Sequence, residues 1–493
     1  MARGSRSGCT RGARRLLAAA AAGLALLTSL AGASGASAAT PDDLFGVNVQ
    51  QVFSGPSSTW QPRLSAIANG GVQLGRIDAR WQNVEPNAPS SSGQHTYNWG
   101  MYDGIAQAMA QHNIRWYPIV DYSTNWSGVT PGDGNSAVAP EHLSDFAAYA
   151  TAFAQRYGRG GSFWKSHPSL PQLPVTDYEI WNEENSTVFW HPQDQAPEQY
   201  ADLYMAARSA IKAVDPQSDV VVGGLALGNN GGADEISFLQ RMFAHRPDLV
   251  DHVDGIGLHP YQANVADTEM RIARFRQAVD QLAGPQVPLE ITEVGWSTTA
   301  VSDADRGADL AQLAEDLPRS DCNIDRFIPY TWITEEQNTS DSEHWFGIAN
   351  ADGSVKPSGQ GYLNAVETMQ GPNEPAGSVT ICQVPVPPVP VNQLPPSTGP
   401  NPPKGPRLLL SVRARGGRLE IRGRCPSGCR LRVDLMQGAE AASLRVMSRR
   451  TTYTSRRQVV KLKMPRRLGR SARLVVVATG KTGGSTTKTR KLH

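Results

Sequence analysis

The 493-residue chain reads as an α/β protein, a (β/α)8 TIM barrel followed by a proline-rich linker and a small all-β, sandwich-like domain. Three observations carry that expectation. Eight short apolar stretches recur between residues 44 and 331, with amphipathic helical patterns between most of them. Ten of the 23 residues from 384 to 406 are proline, a composition that makes a semi-rigid spacer rather than a core. From Leu408 onward apolar residues alternate with Arg or Lys, the pattern of a sheet with one basic, wet face.

The elements follow in order. Residues 1–38 are expected to be a secretory signal peptide: Arg3, Arg6, Arg11, Arg14 and Arg15 precede an apolar run from Leu16 to Leu30, and Ala36-Ser37-Ala38 supplies small residues for cleavage. No later run approaches 18 apolar residues, so an exported, extracellular protein without a membrane span is expected. The barrel should occupy 39–383. Its expected strands are Leu44–Val49, Gln73–Asp78, Ile114–Val120, Tyr178–Trp181, Asp219–Gly224, Val253–Leu258, Leu289–Thr292 and Arg326–Thr331. Helices are expected at Met101–His112, Pro197–Val214, Thr268–Leu282, Asp305–Leu317 and Gly361–Met369. An open doubly wound sheet is the competing architecture, but it usually places a glycine-rich phosphate loop after an early strand, and none appears here. The linker spans 384–406 and the tail 407–493, with strands around 419–422, 431–435, 459–462 and 474–477.

The net charge of +2 conceals a division. The tail carries 23 Lys+Arg and 3 acids, whereas residues 39–406 carry 19 basic and 42 acidic residues. An acidic body joined to a basic tail implies two surfaces with different partners. The tail is read as either a solvated stabilising domain or a means of retention on anionic cell-wall material or exopolysaccharide. Export argues against nucleic acid as its partner. After the signal segment four cysteines remain. Cys425 and Cys429 flank a tight turn and can close a small loop, which leaves Cys322 and Cys382 for each other; export favours disulfides over a metal site.

The chemistry sits at strand ends. Tyr178-Glu179-Ile180-Trp181 runs apolar and stops at Asn182-Glu183-Glu184-Asn185; Leu289-Glu290-Ile291-Thr292 stops at Glu293-Val294-Gly295-Trp296. Barrels gather their sites at the C-terminal ends of the strands. Two glutamates from separate strands there suit glycoside hydrolysis by double displacement, in which one carboxylic acid protonates the leaving oxygen and one carboxylate attacks the anomeric carbon. Strand alternation sends Glu290 to the face opposite Glu293. Arg76, Trp126, His259, Tyr261 and Trp332 stand at or near other strand ends, and all eleven tryptophans lie between Trp60 and Trp345, consistent with a cleft lined by flat rings against which sugar C–H faces pack.

On Ile180-Trp181-Asn182-Glu183, Phe189-Trp190 and Ile291-Thr292-Glu293-Val294-Gly295-Trp296, the chain resembles the retaining glycoside hydrolases of clan A, most like family 39, with family 5 next. The resemblance covers about residues 44–370. It implies Glu183 as acid/base and Glu293 as nucleophile. It further implies that Asn182 holds the sugar 2-hydroxyl, that Arg76 and Tyr261 flank the nucleophile, and that Trp332 floors the sugar site. Substrate contacts are expected from Arg76, Trp126, Asn182, His259, Tyr261, Trp296 and Trp332. Glu184 departs from the pattern, since family members usually carry proline there. A secreted monomeric β-glycosidase with no cofactor and no metal is the expectation, acting on a β-linked oligo- or polysaccharide whose sugar, and exo or endo cleavage, the sequence leaves open. A carbohydrate-binding or cell-surface scaffold protein without turnover is the alternative.

Overall fold

The computed structural model describes residues 43–128, 139–228, 232–372 and 374–383, and in the tail 408–415, 418–426, 429–437, 444–450, 454–456, 458–463, 473–479 and 485–491. The expected signal segment and the linker lie outside the described residues.

Eight parallel strands form the body: β1 (Gly46–Asn48), β2 (Leu74–Arg80), β3 (Arg115–Asp121), β4 (Asp177–Ile180), β5 (Asp219–Leu225), β6 (Gly255–Leu258), β7 (Leu289–Ile291) and β8 (Ile324–Phe327). They pair in sequence order, and a parallel bridge from Phe45 to Phe327 closes the ring. Right-handed βα crossovers of this kind bury both faces of every strand. The apolar outer faces pack under the helices, with Trp116, Val120, Ile180 and Val222 all within one continuous core. The inner faces are strongly polar. Toward the strands' N-terminal ends Arg326 donates to Asp177 at 2.9 Å and the Tyr117 hydroxyl donates to Glu290 at 2.5 Å.

The expected helices are present with shifted starts. The helices Val265–Leu282 and Asp303–Asp316 begin two or three residues earlier than their apolar periodicity suggests. The reason is capping: the Asn264 side chain accepts the Asp267 N–H and the Ser302 hydroxyl accepts the Asp305 N–H, each satisfying an orphan donor of the first turn. Strand eight is displaced too, since β8 ends at Phe327 rather than Thr331. Backbone bonds nonetheless continue past it, from Ile328 N–H to Ile291 O and from Asn48 N–H to Pro329 O, so the segment keeps a strand-like sequence while leaving the ladder.

Among the described residues the tail holds seven antiparallel strands where four were expected. β9 (Leu409–Arg415), β10 (Arg418–Arg424) and β13 (Gln458–Lys463) form one sheet; β11 (Arg430–Gln437), β12 (Leu444–Arg450), β14 (Arg473–Thr479) and β15 (Ser485–Lys491) form the other. Leu419, Ile421, Val460 and Leu462 of the first sheet share a core with Leu431, Val433, Leu474 and Val476 of the second. β9, β12 and β15 were not expected; β15 reads Ser-Thr-Thr-Lys-Thr-Arg-Lys with no apolar residue to mark it, whereas β9 offers Leu410 and Val412, which pack against the core. Cys322 pairs with Cys382 and Cys425 with Cys429. Asp321 accepts the N–H groups of Ile381, Cys382 and Gln383, so the segment before the linker is stitched to the barrel beside β8. No helix of the described residues is long and apolar enough to cross a membrane.

Candidate active site

Turns beyond β4 and β7 bring Glu183 and Glu293 together. After Ile180 the chain bends through Trp181 (φ 69°) and Glu183 (φ 48°), left-handed conformations that non-glycine residues hold only where their surroundings enforce them. The Trp181 N–H donates to Val120 O at 3.0 Å and the Glu183 N–H to Gly224 O at 3.1 Å, tying the turn to both neighbouring strands. The Trp181 indole donates to the Phe189 carbonyl at 2.7 Å and packs edge-on against Trp190 and Tyr122. Phe189-Trp190 therefore anchors the turn that carries Glu183.

Arg76, inward-facing on β2, is the hub. Its guanidinium donates to Glu179 (2.6 and 3.1 Å), to Glu293 (2.6 Å), to Asn48 Oδ1 (2.8 Å) and to Asn182 Oδ1 (3.0 Å). Burial opposes its charge, but Glu179 and Glu293 outweigh burial and keep it firmly protonated. Tyr261 donates to the other Glu293 oxygen at 2.9 Å, and burial together with Glu293 pushes its own pKa up, so it remains a donor. Burial alone would raise the Glu293 carboxyl; His259, Arg76 and Tyr261 together prevail and hold it below the usual carboxylate range.

His259 joins the two carboxyls. Its Nδ1 lies 2.8 Å from Glu183 and 3.6 Å from Glu293, and its Nε2 lies 3.1 Å from Thr292 Oγ1. The Thr292 hydroxyl donates to Glu179 at 3.2 Å, so it accepts from Nε2–H. Nδ1 faces the carboxyls, and its 2.8 Å contact makes a hydrogen bond with Glu183. Glu183, His259 and Glu293 each present an atom within 4.8 Å of the others. That spacing would also suit a metal ion, but the Arg76 guanidinium already places a positive charge against Glu293. Side-chain exposure separates the roles: Glu183 and Glu293 are each 12% exposed, whereas Arg76, Glu179 and His259 are sealed at 0–1%. A ligand would meet the two glutamates first.

Asn182, buried beside Glu183, completes the group that converges on the two carboxyls. The tryptophans expected to contact substrate do not join it equally. Trp126 is half-buried, donating to Glu85 O at 3.1 Å and packing on Trp81. Trp296 is 5% exposed. Trp332 is wholly buried, so the expected sugar floor has no open face at that ring. Packing took the ring inward because the chain beyond β8 stays bonded to β1, with Trp332 N–H donating to Asn48 O. Glu290 corrects the alternation argument. It faces the barrel interior, below the site, while Glu293 lies beyond the end of β7, where the two-residue period no longer applies. Glu179, Asn48 and Thr292 were missed. A glutamate inside the apolar strand Tyr178–Trp181 was the available signal, since a carboxylate in a barrel interior needs a cation, and Arg76 supplies it.

No family model matches the chain, and no curated protein matches it. Solved structures do. A family 39 glycoside hydrolase from the gut symbiont Bacteroides cellulosilyticus WH2 is 17% identical with a TM-score of 0.50, the match covering 84% of this chain and 80% of that one. A glucosidase from Croceicoccus marinus is 14% identical, also with a TM-score of 0.50, over 92% of this chain and 96% of that one. At these identities the likeness is one of fold.

Proposed function

We propose that the chain is a secreted retaining β-glycosidase, with Glu183 as acid/base and Glu293 as nucleophile. The observation that carries the proposal is the pair itself: two part-exposed carboxyls with atoms within 4.8 Å of each other, one held ionised by His259, Arg76 and Tyr261, the other hydrogen-bonded to His259 Nδ1 at 2.8 Å. Retaining enzymes space their carboxyl groups about 5–5.5 Å apart, and inverting enzymes roughly 6.5–9.5 Å. In the first step the Glu183 carboxyl gives its proton to the glycosidic oxygen as the Glu293 carboxylate attacks the anomeric carbon, forming a glycosyl ester. In the second step Glu183 takes a proton from water, which attacks the same carbon and frees Glu293. The Asn182 carbonyl is taken up by Arg76, which leaves its NH2 group, beside the Tyr122 hydroxyl, as the donor for the sugar 2-hydroxyl. The neighbours of like fold are described as a family 39 glycoside hydrolase and a glucosidase, which agrees with this reading.

The test is stereochemical. Proton NMR of early turnover on aryl β-glycosides is expected to reveal the β-anomer first. The α-anomer first would overturn double displacement. Absence of product across a panel of aryl β-glycosides and β-glycans would overturn the glycosidase reading and leave a barrel that binds without cleaving.

The basic tail is proposed to hold the enzyme on an anionic wall polymer or exopolysaccharide. Register places Arg413, Glu420 and Lys461 side by side across the β9–β10–β13 sheet, and Arg413, Arg422, Arg424 and Lys461 are exposed. Attraction of this kind is screened, since the Debye length falls from about 10 Å at 0.1 M salt to about 3 Å at 1 M. The full chain is therefore expected to sediment with anionic wall material at low salt and to be released near ~1 M. A chain ending at Gln383, which keeps Cys382, should stay in the supernatant and hydrolyse small soluble substrates as well as the full chain does. Retention that ignores salt, or that survives removal of the tail, would sink the idea.

A further inference from the structure

We propose that Glu184 is a positioning residue for this reaction: a neutral carboxylic acid plugged into a sealed niche, whose seating fixes the turn that aims Glu183 into the site. The inference rests on the reading of Glu183 as acid/base. Glu184 is fully buried, and neither carboxyl oxygen has a hydrogen-bond partner. The niche exists because β5 carries a glycine there. A Cβ on Gly223 would stand 2.6 Å from Glu184 Oε2 and 2.7 Å from the carbonyl oxygens of Ile180 and Trp181. The Tyr200 hydroxyl at its border makes its well-formed bonds elsewhere, donating to Ile180 O at 2.6 Å and accepting the Gly223 N–H at 2.8 Å, and acts on Glu184 only weakly.

The titratable groups acting on Glu184 are Glu179 from β4, Glu183 from the turn and Tyr200 from the helix Ala196–Val214; none is a cation. Burial pushes its carboxyl well up against the weaker pull of its own backbone N–H and of the Tyr200 hydroxyl, and Glu179 and Glu183 add to the rise. Neither donor makes a well-formed bond to the carboxyl, and an ionised carboxylate with no cation beside it has no place there, so the group is either neutral in the niche or out of it. Leaving would disturb its neighbours directly. Glu183 is pinned to β5 through Gly224 O, and the Asn185 amide is pinned to the Ala226 and Ala233 carbonyls at 2.8 and 2.9 Å. Glu184 is the plug between those two attachments. Its carboxyl fills the seam behind the acid/base while Glu183, one residue earlier and facing the other way, reaches the site.

Two variants and one spectrum test this. Infrared difference spectra at neutral pH are expected to contain the C=O stretch of a protonated carboxyl in the wild type that Glu184→Gln lacks. Glu184→Gln keeps shape and neutrality, so kcat should stay within about threefold. Glu184→Ala should lower kcat by roughly ten- to a hundredfold with little change in KM, since a misplacement of ~1 Å costs about that much. The raised carboxyl also gives stability that is fully present below the ordinary carboxylate pKa and declines as pH rises toward the raised value. Glu184→Gln should lack that decline. Absence of the infrared band, or equal kinetics and the wild-type stability profile in both variants, would overturn the proposal. If the wild type cleaves no glycoside the functional reading fails, while the band and the pH dependence of stability still decide whether Glu184 sits neutral in its niche.

Discussion

Glu293→Ala is expected to lower turnover of every substrate by roughly 10⁴-fold or more, the scale seen when a nucleophile is deleted. Added azide should partly restore cleavage of activated aryl β-glycosides and yield a glycosyl azide of inverted configuration, because the space left by the carboxylate admits an external anion on the same face. Glu183→Ala should behave differently. Removing a general acid costs about 10²–10⁴-fold where the leaving group needs its proton. It should leave the first step nearly intact on aryl glycosides whose leaving groups need none, so that a burst of phenol precedes a slow second step. Comparing the two variants on good and poor leaving groups separates the roles. Equal loss on both substrate classes for Glu183→Ala would refute its assignment, whatever Glu293 does.

Arg76→Met should have the largest effect on stability. It removes the guanidinium that pairs with both Glu179 and Glu293, each drawn to it at 2.6 Å, in a site where Arg76 and Glu179 have at most 1% exposure. Breaking a buried pair by deleting one partner costs about 3–5 kcal/mol, because the remaining charge is left uncompensated. The pH dependence carries the sign. In the wild type the lowered Glu293 contributes stability that is present above the ordinary carboxylate pKa and is lost as pH falls through the folded value. In the variant only His259 and Tyr261 remain to hold Glu293 ionised, and protonation relieves part of the uncompensated charge. The stability gap between the two proteins, read from denaturant titrations, should therefore narrow as pH falls from about 7 to about 4. A gap that does not change with pH would mean that Arg76 acts by packing alone. The acid limb of the activity profile should also move to higher pH in the variant, since its nucleophile ionises later.

The barrel and its two glutamates were legible because they depend on local pattern. Apolar runs of strand length separated by helical periods specify a closed parallel sheet almost regardless of which apolar residues fill them. A strand that stops at Asn182-Glu183, or at Glu293, marks a C-terminal end whatever surrounds it. The basic tail was legible in the same way, from alternation and charge. What only the tertiary structure decided are relations between residues far apart in the chain. Arg76 and Glu293 are 217 positions apart, and nothing near Arg76 in sequence announces that one guanidinium serves Glu179, Asn182 and Glu293 together. The fate of Trp332 was likewise open, because burial of a ring depends on what packs over it, and here the chain closes back on Asn48. Glu184 is the sharpest case. In sequence it is only an extra carboxylate where the resembled family usually carries proline, yet a missing Cβ at Gly223, on the adjacent strand, opens the niche that takes it out of solvent. Pattern along the chain tells which way a strand runs and where it ends, since that follows from backbone period. Which charge meets which, and which is sealed from water, follows from the packing of the closed barrel, where a carboxylate's energy is set by neighbours that the linear order does not place beside it.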